Sequence, residues 1–105
     1  MPVTAEEATA REAAEDYAHA RDGAREWAQR AETEYREALR QEDYARQHAS
    51  STYLRDPVAD ARVAAQFHHG RADGARQLAE MWTRVAAVLV PPLEPVACEL
   101  VSTDG

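Results

Sequence analysis

Few residues in this chain stand at spacings that could do chemistry. Asp16 and His19 lie three apart, a separation at which a carboxylate and an imidazole on one helix can share a metal ion. A bundle centre of that kind needs a matching Glu-x-x-His on a facing helix, and none follows in the second half of the chain. His68 and His69 are adjacent, so on a helix they point about 100° apart and do not converge on one ion. His48 falls near a chain reversal, where exposure is the expectation. Cys98, the single cysteine, has no histidine near it in sequence, and no nucleophile and base stand together. Gly70-Arg-Ala-Asp-Gly74 lies inside a helical periodicity and follows no strand, which excludes a phosphate-binding loop. The residues therefore imply no cofactor, no metal and no enzyme. The alternative is a small-ligand or metal-binding bundle using Asp16, His19 or the region of Trp27 and Trp82.

Composition narrows the partners. Among 105 residues there are 12 arginines, no lysine and 19 carboxylates, for a net charge of -7. Phosphate backbones are held by a surplus of cations, so nucleic acid is not an expected partner. The longest wholly apolar run, Val85 to Val90, is far below the roughly 18 residues needed to cross a bilayer. Nothing in the sequence resembles a signal peptide, and a lone cysteine makes no internal disulfide, so a soluble cytoplasmic protein is expected. Although 45% of residues are apolar, 23 of the 105 are alanine, and alanine buries little area.

The elements that would position these residues are helices. From Thr4 to about His48 the chain has no proline and is dominated by Ala, Glu, Arg and Gln. Thr4 with Glu7 three residues later predicts a capped start, with Glu6 and Glu7 at the positive end of the helix dipole. Apolar residues recur mostly at steps of three and four through Ala10, Ala14, Tyr17, Ala20, Ala24, Trp27, Ala31, Tyr35, Ala38, Ala45 and Ala49, interrupted near 41 to 42, a stripe on one helix face. Asp56-Pro57 predicts a second helix start, running to about Val90 before Pro91-Pro92. Val63, Phe67, Gly70, Gly74, Leu78, Met81, Trp82, Val85, Val88 and Leu89 lie along it at core-compatible spacing.

The expected fold is all-α: two long antiparallel helices over 1–90, a hairpin of coiled-coil type, with an extended Pro-rich tail over 91–105. A break at Asp22-Gly23 giving three helices is the alternative. Folding about residue 53 or 54 sets Trp27 near Trp82, Tyr35 opposite Gly74 and Leu39 opposite Gly70. The expected helix–helix seam thus contains Tyr17, Trp27, Tyr35, Phe67, Gly70, Gly74, Leu78 and Trp82. A helix apolar on all sides has to be covered on all sides. The end of the second helix, with Met81, Val85, Val88, Leu89 and Val90, is therefore the expected interface for an oligomer or partner. One hairpin seam is a thin core, which points to a homodimer closing a four-helix bundle, with a further protein partner.

Size, acidity and a helical hairpin resemble in outline the small Trp-x-Gly proteins exported by type VII secretion systems. The turn here is Ser50-Ser-Thr-Tyr-Leu-Arg55, both tryptophans lie mid-helix, and no tyrosine follows Leu89 to supply that family's Tyr-x-x-x-Asp/Glu signal. No family is assigned on these residues.

Overall fold

In a computed structural model of the chain, the described residues are 4–90. They form two helices, α1 (Ala5–Gln47) and α2 (Arg55–Leu89), 43 and 35 residues long, packed as a hairpin. At 1.5 Å per residue these are rods of about 65 and 52 Å. The expected tail over 91–105, with Cys98, lies outside the described residues.

α1 begins where the sequence predicts. Thr4 is the N-cap, and its hydroxyl accepts the Glu7 backbone N–H at 3.1 Å. α2 begins two residues before the expected Pro57. Leu54 occupies the cap with no side-chain hydrogen bond, and Arg55, Asp56 and Pro57 all lie within the first turn. Proline is tolerated there because the first N–H groups of a helix have no intrahelical partner. The first turn closes instead through Val58 N–H donating to the Leu54 carbonyl at 2.8 Å, and Asp56 serves the helix dipole rather than the cap.

No break occurs at Gly23, and α1 is one continuous helix. This glycine answers to packing. A Cβ at position 23 would stand 3.2 Å from Cδ2 of Trp82, so the missing side chain is the seat of the indole. Trp82 also meets His19 edge-on, with ring centroids 5.5 Å apart.

The two helices meet through short side chains. On α1 the positions shielded by α2 step by four and three through Ala20, Ala24, Trp27, Ala31, Glu34, Ala38, Gln41, Ala45 and His48. On α2 the matching line is Leu54, Val58, Ala61, Ala65, His68, Ala72, Ala75, Ala79, Trp82, Ala86 and Leu89. Only seven of these are fully buried, six alanines and Val58. Ala45, Val58 and Ala61 make a small core at the closed end of the hairpin, with Tyr44 and Leu54 laid over it.

Three expected juxtapositions are therefore replaced. Trp82 lies on Gly23 rather than beside Trp27. Tyr35 is turned to the flank, where its ring lies 5.8 Å from that of His69, not on Gly74. Phe67, Gly70 and Gly74 are exposed and lie off the seam, as does Leu39. The cause is the alanine line: helices that approach closely enough to bury alanine leave no room between them for a phenyl or phenol ring. At the far end, residues 5–16 of α1 run on past the end of α2 and are exposed.

A larger side chain at the centre of the seam should cost stability even though it is more apolar. Ala38, at 0% exposure, is the place to test this. Ala38→Leu is expected to destabilise the hairpin by about 1–3 kcal/mol through overpacking. Ala13→Leu on the exposed overhang should stay within about 0.5 kcal/mol of the parent. Urea denaturation followed by circular dichroism measures both.

Candidate functional site

Two features of the hairpin could act on something else: a polar cluster at mid-seam and the outer side of α2. The polar cluster forms because the seam line carries Glu34 and Gln41 on α1 and His68 on α2 in place of alanine. Glu34 Oε2 accepts from His68 Nδ1 at 2.6 Å, and Glu34 Oε1 accepts from Arg71 Nε at 3.0 Å. Toward the closed end of the hairpin, His69 Nε2 donates to Glu42 Oε1 at 2.5 Å, and Gln41 Nε2 donates to Glu37 Oε1 at 3.0 Å. Adjacent histidines thus reach two different carboxylates eight residues apart on α1, as their angular separation on a helix requires. Among the described residues every buried side-chain nitrogen or oxygen has a partner.

These contacts shift acidity. The Glu34 carboxyl is held below its ordinary value of 4.5 by the hydrogen bond from His68, against partial desolvation and with help from the Arg71 charge. Glu37 is also lowered, first by the hydrogen bond from Gln41 and then by Arg40. Each ionised carboxylate is therefore preferred in the folded hairpin. The cluster ties the helices at mid-length and fixes their register.

Among the described residues no three His, Cys, Asp or Glu side chains converge as ligands for an ion. Asp16 is exposed, and His19 is turned onto Trp82. An open groove of about 670 Å³ lies beside the seam, with Trp27 and Leu78 on its walls. The Arg30 guanidinium covers the Trp27 ring at 4.6 Å.

The outer side of α2 is different in kind. Met81, Val88 and Val90 of the expected interface are exposed, Val88 at 85%, while Val85 and Leu89 are half-buried toward α1. Phe67, Gly70 and Gly74, displaced from the seam, join Val63 and Met81 on this outer side. Tyr17, Trp27, Leu78 and Trp82 are half-buried. Sequence reasoning missed Glu34 and His68 as seam residues because Tyr35 satisfies the same three-and-four stepping from Ala31 to Ala38 as Glu34 does. The signal that could have separated them is size, since the flanking alanines require a slim side chain between them.

No family model, curated protein or solved structure matches the chain. No described helix is long and apolar enough to cross a membrane.

The lowered Glu34 acidity makes a signed prediction. A carboxylate whose folded acidity constant lies below its unfolded one adds stability that is full above about pH 4.5 and is lost as pH falls through the folded value. Glu34→Gln should flatten the fall in thermal midpoint on acidification.

Proposed function

We propose that the chain is a non-enzymatic helical interaction module, an adaptor, regulator or assembly component that works as a homo-oligomer and presents its remaining surface to another protein. The observation that carries this reading is the asymmetry between the two outer faces. Opposite the seam, α1 carries Asp22, Glu26, Gln29, Thr33, Arg36, Arg40 and Asp43, tied by internal ion pairs such as Arg30 to Glu26 at 2.7 Å. Opposite the seam, α2 carries Val63, Phe67, Met81 and Val88, all exposed. A solvated helix does not need four large apolar groups in line, and a single helix partner covers only one side of α2.

The inside of the hairpin supports the same reading. Its buried set is almost entirely alanine, with no large side chain fully enclosed. At about 25 cal/mol per Å² of apolar area, such a seam yields far less than a core of leucine or phenylalanine. Association through α2 adds the missing burial and closes a four-helix bundle. The polar outer face of α1 then stays in water, where it favours solubility and is open to another protein.

Light scattering across a wide dilution range tests this. A mass above 11.7 kDa that falls toward the monomer on dilution, or stays at a multiple throughout, is the expected result. Met81→Asp places a charge on the outer face without touching the seam and should shift the mass to the monomer while helicity is retained. A parent chain that is monomeric at every concentration contradicts the reading.

A further inference from the structure

The outer apolar residues of α2 have an order as well as a composition. Val63, Phe67, Gly70, Gly74, Met81 and Val88 each stand two residues beyond a seam position: Ala61, Ala65, His68, Ala72, Ala79 and Ala86. Two residues are about 200° of helix, so these six lie directly opposite the seam, on a line that also carries Gln77 and Arg84 between Gly74 and Val88. The two glycines at its middle serve no purpose inside the hairpin, because a Cβ at either would meet nothing within 4 Å. Glycine is the poorest helix former after proline, and its use at two exposed mid-helix positions weakens α2 with no compensating contact among the described residues.

We propose that this line is the contact surface for a second copy of the chain, α2 against α2 in antiparallel sense, with Gly70 of each copy set on Gly74 of the other. The inference rests on the self-association proposed above and adds its surface, direction and register.

Charge along α2 selects the second copy and the sense of pairing. The outer face of α1, with Asp22, Glu26, Gln29, Thr33, Arg36, Arg40 and Asp43, is polar throughout and offers a second copy no apolar surface. α2 holds four carboxylates and five arginines, net +1, and bears little repulsion against itself. With the glycines superposed in antiparallel sense, Val63 stands opposite Met81 of the second copy and Asp60 opposite its Arg84, an apolar pair and an opposite-charge pair on each side of the two-fold axis. A parallel pairing would set Asp60 on Asp60 and Arg84 on Arg84. Arg71 and Asp73, which flank the glycines, are already engaged within their own copy, Arg71 by Glu34 and Asp73 by Arg76 at 3.7 Å. They therefore approach their counterparts partly neutralised. Glycine at the crossing lets the two backbones come close, which brings Phe67 of each helix onto the other.

The test is directional disulfide formation in the full chain with Cys98→Ser as background. Val63 and Met81 are 18 residues apart on one rigid helix, about 27 Å, and cannot bridge within a copy. The double variant Val63→Cys with Met81→Cys should form a covalent dimer on mild oxidation, while each single variant should not. As a second readout, Gly70→Leu with Gly74→Leu, a pair that favours helix, should abolish the dimer mass with helicity retained. A dimer by light scattering that the double variant fails to lock overturns this surface while leaving self-association intact. Crosslinking of the single variants overturns the antiparallel sense. A chain monomeric at every concentration overturns both this inference and the reading beneath it.

Discussion

The close approach of two helices through alanine is the constraint on which the rest of this molecule depends. Alanine is the best helix former and loses no side-chain entropy on burial, so long helices are readily made from it. It also fills little space, and helices that bury it must come near each other. Gly23 extends the same logic by one methyl group, opening a seat for the Trp82 indole where a side chain would collide. Apart from Trp27 and Trp82, the large apolar groups are placed at an end, as with Val58 and Leu54 at the closed end, on a flank, as with Tyr35, or outside, as with Phe67 and Met81.

Specificity in such a seam has to come from elsewhere than shape, since one alanine step resembles the next. The mid-seam cluster of Glu34, His68 and Arg71 answers that need. A displacement by one heptad would separate the carboxylate from both His68 and Arg71 and leave it half-buried and unpaired, a penalty that an alanine seam alone would not impose. The polar residues thus set register, and the alanines set distance. What is left over is an apolar line on the outside of α2, opposite a seam too slight to hold much core of its own.

Helix existence and limits were legible in the sequence because they rest on local chemistry: Thr4 with its hydroxyl on the Glu7 amide, and the absence of proline across α1. The start of α2 was displaced by two residues because Asp56-Pro57 is an equally good first turn and cap. Register was harder. The heptad step admits two parallel lines on α2, one through Ala61, Ala65 and His68 and one through Val63, Phe67 and Gly70, and apolar size favours the wrong one. The seam follows the smaller residues because two helices share it, a tertiary fact that no single helix declares. Glu34 and His68 were hidden for the same reason: a polar residue within a stripe reads as surface until its partner across the seam is known. Val88 and Met81 were legible as candidates for contact, but their continuity with Phe67 and the two glycines emerges only once the seam is fixed.

The most direct measurement of this account is the solvent exposure of valine and methionine methyl groups, by paramagnetic relaxation from a soluble nitroxide, at low and high protein concentration. Val58 methyls should be protected at every concentration, as members of the seam core. Val63 and Met81 methyls should be exposed in dilute solution and become protected as concentration rises. An exposed Val58, or Val63 and Met81 methyls that keep the same exposure throughout, would contradict an alanine seam that turns the large residues of α2 outward toward a second copy.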